Sequence, residues 1–350
     1  MKNRMALAIS SFVLAGLAAP TVAEACTRLV YKTGTETFIT ARSMDWYEDL
    51  GSDFWAFPRG MKRDGGVGEG AIEWTSQLGS ITVSAYDVGT ADGMNEAGLV
   101  ANLLYLAEAD YDAPQGSDKP KLSVGAWAQY ALDNYATVAE AVAGMSQQPF
   151  QIVAPALPNG KAAGLHLSLS DSTGDSAVFE YINGELVIHH GPQYRVMTNS
   201  PVYDEQLALT SYWGQIGGLS MLPGTNRAAD RFVRTSFYLD AVPQFEDRRM
   251  ATSAAFSIIR NASVPLGIRD ENAPNIASTI WRTVADHEAG RYYFESAASP
   301  NTFWVDIANL DLSENSQPMK LSLKEHPILA GDVSGGFAPA EPFKWLSHSE

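Results

Sequence analysis

The chain has 350 residues and a formal net charge of −16 at pH 7, so its surface is acidic and unsuited to nucleic acid or anionic lipid as a partner. Apolar residues make up 45% of it, with 8 Trp, 14 Tyr and 14 Phe, enough for a large buried core. No low-complexity linker, charge run or repeat offers a domain boundary.

Residues Met1 to Ala25 open with Lys2 and Arg4, run through an apolar stretch from Met5 to Ala19, and end in small and polar residues. The stretch is too short to span a membrane comfortably. It reads as a secretory signal peptide cut after Ala23-Glu24-Ala25. The expectation is an exported protein, periplasmic or secreted, whose single domain runs from Cys26 to Glu350 and has no membrane span.

Cys26 is the only cysteine, which excludes a disulfide within the chain. Processing after Ala25 would give it both a thiol and a free α-amino group. Reference pKa values of about 8.5 for a thiol and about 7.7–8.0 for an α-amine make the amine a matched acceptor for the thiol proton, so one residue can serve as nucleophile and base. Thr27 to Lys32 and Glu36 to Arg42 read as strands joined by a three-residue loop, Thr33-Gly34-Thr35, with glycine at φ > 0. Pairing Lys32 with Glu36 sets Cys26 opposite Arg42, and a slip of one residue would substitute Ser43. A guanidinium there favours thiolate, and Asp45 can fix the amine. Two plainer readings stay open for Cys26: a small buried hydrophobe and a lipid-anchor residue. Arg42 and Asp45 can equally be an ordinary ion pair at a strand end.

Further on, Ala71 to Thr75, Ser80 to Ala85 and Leu99 to Leu106 read as strands, with Asp92 to Gly98 as a turn. Leu122 to Tyr135 and Thr137 to Met145 carry apolar residues at helical spacing, and Thr137 with Glu140 forms a capping box. Strands follow at Leu165 to Ser170, Ala177 to Ile182, Leu186 to His190 and Tyr194 to Thr198, and Asn183-Gly184 is a strong hairpin signal. A second helical region spans Arg227 to Val242 and Met250 to Ala262. Strands return at Ser278 to Val284, Arg291 to Glu295 and Thr302 to Ile307. Beyond Leu312 the pattern predicts loops and a weakly ordered end. Hairpin-linked strands alternating with paired helices predict an α+β fold with two antiparallel sheets between helix layers.

Five motifs occur in order: Cys26 at the processed terminus; Arg42-Ser43-Met44-Asp45-Trp46; Asp92-Gly93-Met94-Asn95-Glu96-Ala97-Gly98-Leu99; Thr198-Asn199-Ser200-Pro201; and Asp230-Arg231-Phe232-Val233-Arg234. Together they resemble the choloylglycine hydrolase family, N-terminal-nucleophile hydrolases that include penicillin V acylases and conjugated bile salt hydrolases. Arg291 to Glu295 and Asn301 to Asp306 extend the likeness towards the C-terminus.

The resemblance implies a four-layer αββα sandwich and hydrolysis of a linear amide through a Cys26 thioester, with no cofactor. It places Arg42 and Asp45 beside Cys26, gives the side-chain amide of Asn199 and the backbone N–H of Tyr105 to the oxyanion, and completes the polar site with Arg231. Tyrosine at position 105 leans towards the acylases. The short segment between Asn199 and Arg231, and Trp46 after Asp45, resemble the Gram-negative branch; the first leaves the family's usual homo-oligomer open. Trp46, Tyr105, Tyr111 and Trp127 are candidates for an apolar substrate pocket. Expected substrates are small N-acyl compounds: penicillin V, N-acyl-homoserine lactones or conjugated bile salts. The alternative from another class is a lipid-anchored periplasmic binding module.

Other chemistries find little support. Six histidines are scattered, and His189 and His190, adjacent on a strand, would face opposite ways, so no metal site is expected. There is no G-x-S-x-G elbow or P-loop. Gly65 to Gly70 reads as a flexible loop.

Overall fold

A computed structural model describes residues 26–112, 118–268, 277–299 and 301–347. The expected leader, residues 1–25, lies outside the described residues. The first part of the chain is built of strands: β1 (Thr27–Lys32), β2 (Phe38–Trp46), β3 (Phe54–Phe57), β4 (Lys62–Asp64), β5 (Glu73–Thr75), β6 (Ser80–Ala85), β7 (Gly89–Asn95), β8 (Val100–Tyr105) and β9 (Lys121–Ser123). Helices α1 (Trp127–Asn134) and α2 (Val138–Met145) precede β10 (Gln151–Val153), β11 (Leu165–Ser170), β12 (Ser176–Ile182), β13 (Glu185–His190) and β14 (Val196–Thr198). Three helices follow, α3 (Tyr203–Ile216), α4 (Ala228–Ala241) and α5 (Arg248–Asn261). The chain closes with β15 (Ser278–Asp286), β16 (Arg291–Ser296), β17 (Thr302–Asp306), β18 (Met319–Leu321), β19 (Gly331–Asp332) and β20 (Ala338–Pro339).

Two large sheets result. One has the order β14-β1-β2-β15-β16-β17-β19, the other β13-β12-β11-β8-β7-β6-β3-β18-β20. Apart from the parallel β17–β19 pair, both are antiparallel. Helix α4 packs on β14 and β1, and α5 on β2 and β15. On the far side α1 packs on β7 and β8, and α2 on β12. The sheets touch through β2 and β8, giving the αββα order that the motifs implied.

Strand β8 shows why both sheet faces can be buried. Val100 and Leu104 join the core between the sheets and under α4 and α5, while Ala101 and Leu103 join the core under α1 and α2. That is the two-residue alternation of a strand with apolar layers on both sides. Two local signals hold as read. Thr137 caps α2 reciprocally with Glu140, and Asn183 and Gly184 take positive φ in the β12–β13 turn, as a two-residue hairpin requires.

Four expectations are corrected. The β1–β2 connection spans Thr33 to Thr37, with Lys32 paired to Phe38 rather than Glu36, and Glu36 takes positive φ. Gly34 is required for space: a Cβ would lie 2.7 Å from the Gln244 carbonyl oxygen. Asp92 to Asn95 belong to β7, where Gly93 lets the neighbouring strand approach, since a Cβ would lie 2.7 Å from Ile81 O; only Glu96 to Gly98 turn. Helix α3 went unread because its apolar residues form no single stripe: Tyr203 is buried while Leu209, Tyr212 and Ile216 are exposed. The C-terminal segment is packed rather than weakly ordered. Strand β18 pairs with β3, and the Phe343 ring meets Trp55 and Phe57.

Candidate active site

Cys26 stands one residue before β1 and is buried, 2% exposed. Thr27 pairs with Ser43 on one side and Thr198 on the other, so Cys26 comes level with Met44 rather than Arg42. The register differs from the expected one by two residues. Because strand side chains alternate with period two, that shift keeps Arg42 on the face of Cys26. The Arg42 Nη2 lies 3.9 Å from the sulfur, the Asp45 backbone N–H donates to it at 3.4 Å, and Met44 Sδ lies 3.7 Å away.

Arg42 is fully buried and spreads its guanidinium over fixed acceptors: Ala91 O at 2.9 Å, Leu103 O at 2.8 Å and Asp92 Oδ2 at 3.3 Å. Asp92 also accepts from Asn102 at 2.7 Å, from Thr283 at 3.3 Å and from the Tyr292 hydroxyl. The guanidinium lies over the Trp281 ring, 4.8 Å from its centroid. Its position beside the sulfur is therefore set by groups of both sheets. Burial pushes the Asp92 carboxyl above its ordinary range, and Arg42 is the chief opposing influence.

Asp45 points to a second cluster. Its carboxylate accepts from Thr279 and from Ser43 at 3.4 Å, and Arg231 Nη1 lies 3.7 Å away. Burial pushes Asp45 up to about 6, with Arg231 and then Thr279 pulling it down. From α4, Arg231 donates to the Cys26 carbonyl at 2.8 Å and to the Thr27 hydroxyl, and Nη2 approaches Asn199 Oδ1 at 3.4 Å. Burial lowers Arg231 to about 10 against the raising influence of Asp45. Asn199, just past β14, donates Nδ2–H to the Tyr105 carbonyl at 2.7 Å.

The Cys26 thiol is raised by burial, lowered by Arg42 and raised by Asp45. A thiol with its pKa pushed up is protonated at neutral pH and needs a base before it can attack. The polar contacts described for the sulfur involve Arg42, Met44 and Asp45. None is a histidine.

An almost wholly apolar cavity of about 610 Å³, its open mouth included, adjoins the sulfur; Cys26, Arg42, Met44, Trp46 and Tyr105 line it. Trp46 donates Nε1–H to the Tyr86 hydroxyl at 2.9 Å and meets Tyr105 edge to face at 6.1 Å. Tyr111 and Trp127 are a correction: both pack against Tyr181 in the core under α1 and α2 and are not among the residues lining this cavity. A rigid, well-filled core claims large aromatics as readily as a pocket does.

A family profile for linear amide C–N hydrolases of the choloylglycine hydrolase family matches residues 26–321. The chain belongs to the choloylglycine hydrolase family. It is a hydrolase of linear amide C–N bonds. A penicillin V acylase from Pectobacterium atrosepticum is 50% identical over 348 residues, 93% of each chain. The solved penicillin V acylase of Agrobacterium tumefaciens superposes with a TM-score of 0.85 at 54% identity, covering 92% of this chain and all of that one. A variant of conjugated bile acid hydrolase from Clostridium perfringens shares the fold, with a TM-score of 0.72 at 23% identity over 85% of this chain and 96% of its own.

Within this hydrolase of the choloylglycine family, two groups around Cys26 escaped sequence reasoning. Asp92 fixes Arg42, and Thr279 fixes Asp45. Asp92 had a signal, a carboxylate in an Asp-Gly-Met-Asn run on what proves to be a buried strand. Thr279 had none, since its partner lies 234 residues away. Among the described residues no group of three or more His, Cys, Asp or Glu side chains is placed to hold a metal ion, and no helix is long and apolar enough to cross a membrane.

Proposed function

We propose that the chain is exported by residues 1–25, processed to start at Cys26, and hydrolyses small N-acyl compounds through an acyl-thioester on that cysteine. The observation that carries the reading is the sulfur's position, between the Arg42 guanidinium and the Asp45 backbone at the edge of an apolar cavity. The freed α-amine takes the thiol proton, and Asp45 holds the amine. The sulfur attacks the amide carbon, and the negative charge gathers on the former carbonyl oxygen. An amide side chain has two N–H donors; Asn199 spends one on Tyr105 O and turns the other to the oxyanion, with the Tyr105 backbone N–H as second donor. The C–N bond breaks, and the proton leaves with the amine. Water, deprotonated by the α-amine, attacks the thioester; the C–S bond breaks, giving a carboxylate and the restored thiol.

Penicillin V is the first substrate we assign, supported by the identity to two penicillin V acylases. N-acyl-homoserine lactones are the second, supported by the apolar lining, which suits an alkyl chain as well as an aryl ring. Penicillin V, N-acyl-homoserine lactones and glycine-conjugated bile salts should be offered in parallel to the processed protein, to Cys26→Ala and to a form that keeps one residue before Cys26. Turnover should be confined to the first. Intact mass should show an unmodified Cys26 at the terminus; a diacylglyceryl adduct would establish the lipid anchor instead. Full activity in the extended form would remove the amine from the mechanism.

A further inference from the structure

The C-terminal segment forms part of the wall of the cavity beside Cys26. Leu346 lines it together with Val88, Gly89, Val124 and Gly125, and Leu346 is buried, 6% exposed. Its backbone N–H donates to Val88 O at 2.7 Å, and its carbonyl accepts from the Ser123 hydroxyl at 2.6 Å. The two backbones beneath it touch: a Cβ on Gly89 would lie 3.0 Å from Gly125 Cα, and one on Gly125 would lie 2.8 Å from Val88 O and 3.3 Å from Leu346 Cβ. These glycines let the β6–β7 turn, the segment before α1 and the C-terminal segment meet at one point.

The path along the cavity follows the strand. Arg42, which reaches the Cys26 sulfur, is bonded to Ala91 O; Leu346 is bonded to Val88 O. The chain between the two carbonyls, Gly89 to Ala91, itself lines the cavity. The cavity wall thus runs from the attacking atom, past Gly89 to Ala91, to a leucine carried on a strap. The residues before it brace the strap: the Trp345 ring packs edge to face on Phe343 at 5.1 Å and lies 5.6 Å from the Arg63 guanidinium.

We propose that Leu346 is the floor of the acyl pocket and sets the longest acyl chain the enzyme accepts. The inference rests on the reading of Cys26 as the attacking atom and makes the substrate class more specific: N-acyl amines whose acyl part is a single aryl group or an unbranched chain that ends at Leu346. An acyl group one carbon too long must displace Leu346 or withdraw from the sulfur. A shorter side chain at 346 lengthens the pocket, and a bulkier one shortens it.

The test uses the processed enzyme with substitutions Leu346→Ala, Leu346→Phe and Ser123→Ala, and unbranched N-acyl-homoserine lactones from hexanoyl to dodecanoyl. In Leu346→Ala the ratio of kcat/KM for long over short chains should rise about tenfold or more, since one methylene in an apolar pocket discriminates by about that factor. Leu346→Phe should move the ratio the other way. Ser123→Ala, which loosens the strap without altering the leucine, should move it as Leu346→Ala does, by less. A second arm measures calorimetric binding of hexanoate to dodecanoate, the product carboxylates, to Cys26→Ala with and without each substitution. A length preference that stays in place in every variant, or a loss uniform across lengths, overturns the inference while leaving the hydrolase reading intact. A shift in carboxylate preference in an enzyme that cleaves none of these amides upholds the pocket floor and overturns the assignment of N-acyl-homoserine lactones as substrates.

Discussion

Truncating Asn199 to alanine separates what this side chain does for the fold from what it does for the reaction. Asn199 is 2% exposed and is gripped twice by its side chain, through Nδ2 to Tyr105 O at 2.7 Å and through Oδ1 to Arg231 at 3.4 Å. A third grip is on its backbone, where Gln206 donates to the Asn199 carbonyl. That last bond survives the substitution, so the chain keeps its path. The folded state loses one neutral hydrogen bond, about 1 kcal/mol, and the long charge-assisted one from Arg231, about 1.5 kcal/mol, while Arg231 keeps Cys26 O and Thr27. In the proposed mechanism the reaction would lose one oxyanion donor, about 2.7–4 kcal/mol, or about a hundred- to a thousandfold in kcat. Steady-state kinetics on penicillin V, with urea unfolding beside them, should show kcat falling by that factor, KM changing little and stability falling by about 2–3 kcal/mol. Asn199→Asp is the sharper control. It keeps the shape but presents an acceptor oxygen to Tyr105 O and to the developing anion, and should be at least as inactive as the alanine form. Near-normal turnover in the aspartate variant, or a raised KM at unchanged kcat, would refute the donor role.

Two further outcomes are expected. Thr279→Val removes the hydroxyl that stabilises ionised Asp45, so the Asp45 carboxyl, held at about 6, should titrate higher by about 1–2 units, a charge-assisted bond of about 1.5–3 kcal/mol divided by about 1.4 per unit. The sign is fixed because the lost bond favours the charged form. The carboxyl infrared band followed against pH should shift up in Thr279→Val and stay in Thr279→Ser; no shift in the first would separate Thr279 from Asp45. Gly34→Ala drives a Cβ to 2.7 Å from Gln244 O and 3.0 Å from Glu246 N and should cost about 1–3 kcal/mol in chemical denaturation, whereas Gly214→Ala, inside α3 with nothing within 4 Å of a new Cβ, should add about 0.5–1 kcal/mol. Equal effects at the two glycines would dismiss the close approach at Gly34.

What could be read from the chain was local. The Thr137 capping box, the Asn183-Gly184 turn and the two-residue period of most strands need only neighbours in sequence, and each stands in the structure. The β1–β2 register was wrong by two residues because Glu36, not Gly34, takes positive φ, and nothing about a glutamate announces that. Alternation rescued the functional reading, since a shift of two leaves every side chain on its face. The turn at Asp92 to Asn95 failed for the opposite reason. Aspartate, glycine and asparagine signal turns when their polar groups face water; here Arg42, Asn102 and Tyr292 satisfy Asp92 inside the sandwich, and Asn95 donates to Leu132 O and Tyr135 O.

The same contrast explains which site residues were legible. Arg42 and Asp45 lie within twenty positions of Cys26 and on the adjoining strand, so a hairpin alone brings them near. Asp92, Thr279 and Leu346 reach the site only after both sheets and the C-terminal segment have formed. Burying Arg42, Asp45, Asp92 and Arg231 in one region is tolerable only if each charge is matched, because removing one partner from such a cluster costs about 3–5 kcal/mol. The matching groups come from β2, β7, β15 and α4. The cluster is thus complete only in the assembled sandwich, and the fold that satisfies these charges is also the one that sets a guanidinium 3.9 Å from the Cys26 sulfur.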